Sequence, residues 1–139
     1  MKSVIILMLL FLATQVQAAE FIIGKGVFHG GNYAPSDTAS GGVELVKLDA
    51  STYELRLGSN FSTTPGPDLF VYLSASEDHQ DAAAITDNTY FEAGKLGSPS
   101  GEQKLVLPKN FDPKKFRSVA IWCKQYSVLF GAAALYNHE

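Results

Sequence analysis

Apolar and polar positions alternate with a two-residue period along much of the chain after Phe21, and no segment sustains a helical period. Residues 52–57 give the clearest case: Tyr53, Leu55 and Leu57 share one face, while Glu54 and Arg56 share the other. Gly, Pro, Asn and Asp separate the short β-rich runs. The pattern predicts an all-β fold, a single antiparallel β-sandwich of about seven to nine strands.

Other segments depart from simple alternation. Residues 69–73 are apolar on both faces, which favours a central strand. The apolar phase shifts between Leu45 and Val46, which predicts a β-bulge there. Residues 74–101 form a long irregular region, with one helical turn near residues 81–85. A second helical turn is expected at residues 113–115, ahead of the strand that leads to Cys123.

The N-terminal segment is typical of an export signal. A short basic start at Lys2 precedes an apolar run over residues 4–13, and Val16 and Ala18 are small residues ahead of a cleavage point. We expect residues 1–18 to be a cleaved signal peptide and residues 19–139 to be a single β domain, secreted or periplasmic. The apolar run is shorter than the ~20 residues of a spanning helix, so no stable membrane span is expected.

Charge narrows the range of partners. Without Lys2, ten basic residues stand against fourteen acidic ones, a net charge of −4. No Lys/Arg cluster offers a phosphate-binding stripe, so nucleic acid is not an expected partner.

Cys123 is the single cysteine of the chain, and it directly follows the single tryptophan, Trp122. One cysteine cannot form an intrachain disulfide in an oxidising compartment. Three fates remain: an inert core residue, a disulfide to another molecule, or a redox or ligand role. Alternation places Cys123 on the core face with Val119 and Ile121, and Ala120 and Trp122 on the other face of the strand. Its position at the strand end would also permit half exposure, with Lys124 favouring the thiolate.

Metal and cofactor motifs are largely excluded by residue type. No His follows Cys123 before His138 and no Met remains after residue 18, so a blue-copper centre does not fit. One Cys and three scattered His do not supply a zinc set. Covalent haem needs a Cys-x-x-Cys-His motif, whereas non-covalent haem needs none and stays open. His29 and His79 are interpreted as loop residues and His138 as part of the tail.

Three residues are candidate surroundings of the thiol. Trp122 and Tyr126 are expected in the core, but beside a thiol they could line a prosthetic-group pocket or relay an electron. Asp68, in Gly66-Pro67-Asp68-Leu69, is first a turn residue. Strand pairing could also bring it next to Cys123, where its carboxylate could orient a hydrogen-bond donor.

Four stretches together resemble the DM13 domain family. They are Gly26-Val27-Phe28-His29-Gly30, the run from Gly66-Pro67-Asp68 through Leu73, Gly101 with the strand that follows it, and Ile121-Trp122-Cys123 through Phe130-Gly131 to Ala133. The resemblance covers residues 24–135. Tyr126 stands where a Phe is expected.

The resemblance implies an exported all-β module with a redox role. In animals such domains accompany DOMON domains and are proposed to act in electron transfer, with the motif cysteine, here Cys123, as a bare thiol or a haem ligand. This chain lacks companion domains, so a separate redox partner protein is expected and a self-sufficient enzyme is not. The competing interpretation is an extracytoplasmic binding or adhesion module in which Cys123 is only packing.

Overall fold

Two antiparallel sheets face each other in the computed structural model, which describes residues 19–31, 39–77, 82–87 and 89–137. Eight strands of four or more residues occur in these ranges, which confirms the predicted all-β sandwich. The elements in chain order are β1 Phe21–Val27, β2 His29–Gly30, β3 Ala39–Ser40, β4 Gly42–Lys47, β5 Tyr53–Leu57, β6 Ser62–Thr63, β7 Leu69–Ser74, α1 Ala83–Thr86, β8 Tyr90–Lys95, β9 Gln103–Val106, a 3₁₀ turn Pro113–Lys115, β10 Ser118–Cys123, β11 Val128–Ala134 and β12 Tyr136–Asn137.

The two sheets have five strands each. Sheet A has the order β12-β1-β4-β5-β9, and sheet B has the order β2-β11-β10-β7-β8. The short strands β3 and β6 form a separate ribbon. Strand β10 therefore lies at the centre of sheet B, hydrogen-bonded to β11 on one side and to β7 on the other. A central strand has both edges paired and both faces available for packing, which explains why all six residues of β10 are buried.

The core between the sheets follows the predicted alternation. Leu55 and Leu57 of β5 are fully buried in it and Tyr53 packs against it, as expected. On the outward face, Arg56 Nε donates a hydrogen bond to Glu54 Oε1 at 2.6 Å. Glu54 is itself buried, so this face is less solvated than its polar sequence predicted.

One local prediction was wrong. The region 74–101, expected to be irregular, contains a six-residue strand, β8, which pairs with β7. Its alternation was hard to detect because β8 carries an irregularity next to Gly94, whose φ of 155° suits glycine. The predicted irregularity at Leu45 and Val46 is present: these two residues pair with Gly24 and Ile22, and the extra residue lies on β1. The helical turns near residues 81–85 and 113–115 are confirmed by α1 and by the 3₁₀ turn.

The proposed signal segment 1–18, His79 and His138 lie outside the described residues. Among the residues that are described, no helix has the length and apolar content needed to cross a membrane.

Candidate functional site

Strand β10 separates two apolar clusters. Its residues Val119, Ile121 and Cys123 point into the core between the sheets, as the alternation predicted. Ala120 and Trp122 point to the outer face of sheet B, where they join a second cluster. Cys123 and Trp122 are thus covalent neighbours whose side chains lie on opposite faces of one sheet.

The sulfur of Cys123 is enclosed. The residue is 1% exposed, although it is the last residue of its strand, so the predicted half-exposed thiol is wrong. Leu69 of β7 and Val128 of β11 are its partners in the neighbouring strands. Cys123 Sγ donates a hydrogen bond to the carbonyl oxygen of Pro67 at 3.1 Å. Only a protonated thiol has a hydrogen to donate, so this contact fits the neutral form.

The loop Gly66-Pro67-Asp68 covers the thiol. Beyond the sulfur contact, Lys124 N donates to the carbonyl oxygen of Asp68 at 3.1 Å. Gly66 is also packed tightly against the Phe130 ring, because a Cβ added to Gly66 would lie 2.8 Å from Cζ of Phe130. Cys123 and Lys124 therefore bind the carbonyl oxygens of Pro67 and Asp68, and these two hydrogen bonds hold the loop in place.

Asp68 is half-buried and has a φ of 58°, in the left-handed region that Asp tolerates better than most residues. This geometry fits the prediction of a turn residue. Strand pairing does bring Asp68 beside Lys124, but through its backbone carbonyl. The polar atom that contacts the Cys123 sulfur is the Pro67 carbonyl oxygen, which the sequence gave no reason to single out.

Trp122 belongs to a row of aromatic rings on the outer face of sheet B. Its ring centroid lies 6.3 Å from that of Tyr72, with an interplanar angle of 27°. Tyr72 in turn stacks on Tyr90 at 5.2 Å and 3°. Ile85 and Leu129 complete the cluster. Trp122 and Tyr72 are each 4% exposed, whereas Tyr90 is 52% exposed. Burial raises the pKa of the Tyr72 phenol, and the negative charge of Glu92 adds to that effect.

Tyr126 and Lys124 lie in the turn after β10. Tyr126 is 64% exposed, so its predicted place in the core is wrong. Lys124 Nζ lies 3.3 Å from Glu92 Oε1 and 4.8 Å from the centroid of the Phe70 ring. The Lys124 ammonium group is thus engaged on the outer face of sheet B, away from the position that the thiolate hypothesis required.

Haem does not fit the surroundings of the sulfur. An axial thiolate needs a deprotonated sulfur with an open side for the iron and a cleft for the flat macrocycle. Here the Cys123 sulfur points into the packed core and lies 3.1 Å from the carbonyl oxygen of Pro67. Elsewhere in the described ranges, no group of three or more His, Cys, Asp or Glu side chains could hold a metal ion. His29 is exposed on β2.

A separate cleft of about 1360 Å³ lies at sheet A and does not include Cys123. A cross-strand row of charged residues, Lys25, Glu44, Arg56 and Lys104, crosses the sheet in register and lines this cleft. Lys25 Nζ and Glu44 Oε1 are 3.3 Å apart. Sequence alternation predicted that Arg56 faces away from the core, but the common register of the four residues depends on strand pairing.

Comparison with known proteins links most of the chain, including the thiol, to a family. Neither the curated proteins nor the solved structures gave a match. A family model described as "Electron transfer DM13" matches residues 32–135, which leaves β1, β2 and β12 outside the matched region. Because the match spans well over half of the chain and includes β7, β10 and β11, the protein belongs to the DM13 family.

Proposed function

We propose that this protein is an exported electron-transfer component that uses Cys123 as its redox-active group and a separate protein as its redox partner. The observation that carries the proposal is the membership in a family described as electron transfer, together with a lone thiol enclosed within the matched region. The N-terminal sequence pattern supports export to an oxidising compartment.

The enclosure of the sulfur selects the type of redox chemistry. Thiol–disulfide exchange requires a thiolate to touch a sulfur atom of the partner. Cys123 is 1% exposed and its thiol donates to Pro67, so direct attack requires displacement of the loop 66–68. One-electron transfer requires no contact, because an electron can tunnel through packed protein. The geometry therefore supports one-electron transfer better than exchange.

The step balances as follows. The Cys123 thiol gives up one electron and one proton and becomes a neutral thiyl radical. The electron reduces a one-electron oxidised centre in the partner protein, and the proton passes to solvent. The reverse reaction restores the thiol. No metal or haem in this chain takes part in the step.

The test compares the wild-type protein with Cys123→Ser, in which a hydroxyl of similar size can still donate to Pro67. Each is exposed without oxygen to a photogenerated ruthenium(III) tris-bipyridine oxidant, frozen at once and examined by electron paramagnetic resonance, which detects a radical on an enclosed sulfur without contact. We expect a thiyl signal in the wild type and its loss in Cys123→Ser. Absence of a thiyl signal in the folded wild type would refute the proposal, and a Soret band lost in Cys123→Ala would show haem binding instead.

A non-catalytic binding module is the second candidate, and the cleft on sheet A is the observation that favours it. This cleft combines positive and negative side chains with a backbone rim at Gly42 and Gly58. If the protein is a binding module, Cys123→Ala would leave binding of its partner intact, whereas charge reversal at Lys104 would weaken that binding. The opposite result, with Lys104→Glu silent and Cys123→Ala inactive, favours the redox function.

A further inference from the structure

The aromatic row on the outer face of sheet B links the solvent to the strand that carries the thiol. Tyr90 lies on the edge strand β8 and is 52% exposed, whereas Tyr72 and Trp122 are each 4% exposed. Ring centroids along the row are 5.2 Å apart between Tyr90 and Tyr72, and 6.3 Å apart between Tyr72 and Trp122. The row therefore runs from the surface to the central strand in two short steps.

The chemistry of the row is as important as its spacing. Tyrosine and tryptophan are the two aromatic side chains that lose an electron most readily, while the phenyl ring of Phe70, also next to Tyr72, does not. Tyr90 and Tyr72 are offset-stacked, with an interplanar angle of 3° and centroids 5.2 Å apart, which brings the two π systems into contact. Trp122 is joined to Cys123 by a single peptide bond.

We propose that Tyr90, Tyr72 and Trp122 form an electron-hopping row, with Tyr90 as the position where a one-electron redox partner approaches. This inference rests on the proposed function insofar as Cys123 is the source of the electron, but conduction along the row itself does not require Cys123. It gives the partner a defined point of approach on an otherwise enclosed redox site.

Each step of the row balances. The partner's oxidised centre takes one electron from Tyr90, whose phenol releases its proton to water and becomes a neutral radical. Tyr72 then gives one electron to Tyr90, which regains a proton from water. In this scheme the Tyr72 proton passes to Glu92, which lies opposite Tyr72 in the strand pair and whose negative charge acts on the Tyr72 phenol.

Trp122 next returns one electron to Tyr72, which regains its proton from Glu92, and the indole becomes a radical cation that keeps its own proton. Cys123 finally gives one electron to Trp122 and releases its proton to solvent. The net change is one electron from the thiol to the partner and one proton to solvent.

The row can be tested in the Cys123→Ser background, where the last step is blocked. A ruthenium(III) tris-bipyridine oxidant is generated by a laser flash, and the tryptophan radical is followed by transient absorption. The chain has one tryptophan, so the signal belongs to Trp122. We expect Tyr90→Phe and Tyr72→Phe, which keep the rings but remove the phenols, to abolish fast formation of this radical.

Tyr136→Phe is the matched control, because Tyr136 is also exposed but lies on sheet A. It should leave the radical signal unchanged. The melting temperature of Tyr72→Phe shows whether this variant folds. If it does not, Tyr90→Phe still tests the row, because it changes only an exposed side chain. If the Trp122 radical forms at the parent rate in both Tyr90→Phe and folded Tyr72→Phe, electron hopping along the row is refuted.

A second measurement separates the row from the role of the thiol. In the wild type the Trp122 radical should decay faster than in Cys123→Ser, because the Cys123 thiol reduces it. Equal decay, with radical formation still dependent on Tyr90, would confirm the row and refute Cys123 as the electron source.

Discussion

The two faces of strand β10 differ in how they are closed, although the same six residues supply both. Cys123 on the inner face is closed by a three-residue loop whose carbonyl groups bond to the strand end. Trp122 on the outer face is closed by side chains from several elements and remains connected to an exposed ring through stacking. Two buried side chains of one strand can therefore differ in their access to the surface. The Cys123 sulfur is enclosed, whereas the Trp122 ring is linked to the exposed Tyr90 ring by stacking.

The largest expected effect lies on the outer face. Trp122→Ala removes the side chain that joins the outer cluster and leaves a cavity between Tyr72 and Leu129. We expect the free energy of unfolding to fall by about 3–5 kcal/mol. Chemical denaturation monitored by circular dichroism measures it. Tyr126→Ala is the control: as an exposed aromatic in the following turn, it should change stability by less than about 0.5 kcal/mol. Equal losses would mean that the outer cluster contributes little.

A smaller effect is expected where the inner face is sealed. In Gly66→Ala the new methyl group would meet the Phe130 ring at 2.8 Å, so the ring or the loop must shift. We expect a loss of about 1–3 kcal/mol, as for other overpacked sites. If the loop absorbs the shift, Pro67 moves away from the sulfur and Cys123 reacts faster with a thiol reagent under native conditions. Slow reagent kinetics identical to wild type would show that the ring moved instead.

The smallest effect is a pH dependence on the outer face. The folded-state pKa of Tyr72 is raised by burial, so the folded protein binds the phenolic proton more tightly than the unfolded chain does. This contribution is fully present below the unfolded pKa of about 10 and is lost as the pH rises from there through the folded pKa, by at most about 1.4 kcal/mol per pH unit.

Tyr72→Phe isolates that contribution from the lysines and other tyrosines that titrate in the same range. Urea denaturation of both proteins between neutral pH and the region above pH ~10 should give curves that diverge only at the alkaline end, where the unfolded tyrosine ionises. A difference between the two proteins that stays constant with pH would remove Tyr72 as the cause.

Sequence alternation alone determined the class of fold and the face on which each residue of β10 lies. The two-residue period fixes which side chains share a face, so Cys123 was placed toward the core and Trp122 opposite it without any tertiary information. The same reasoning failed for β8, because the irregularity next to Gly94 interrupts the period. Family resemblance supplied the electron-transfer hypothesis, and the family match confirms the membership on which it rests.

Tertiary structure decided how those faces are closed and which distant residues meet there. Pro67 lies 56 positions before Cys123, and their hydrogen bond exists only because β7 pairs with β10 in one register. The stacking of Tyr90, Tyr72 and Trp122 likewise depends on two strand pairings. The local pattern predicts which face of the strand a side chain lies on. Which residues it contacts depends on the strand register, and only long-range pairing determines that register.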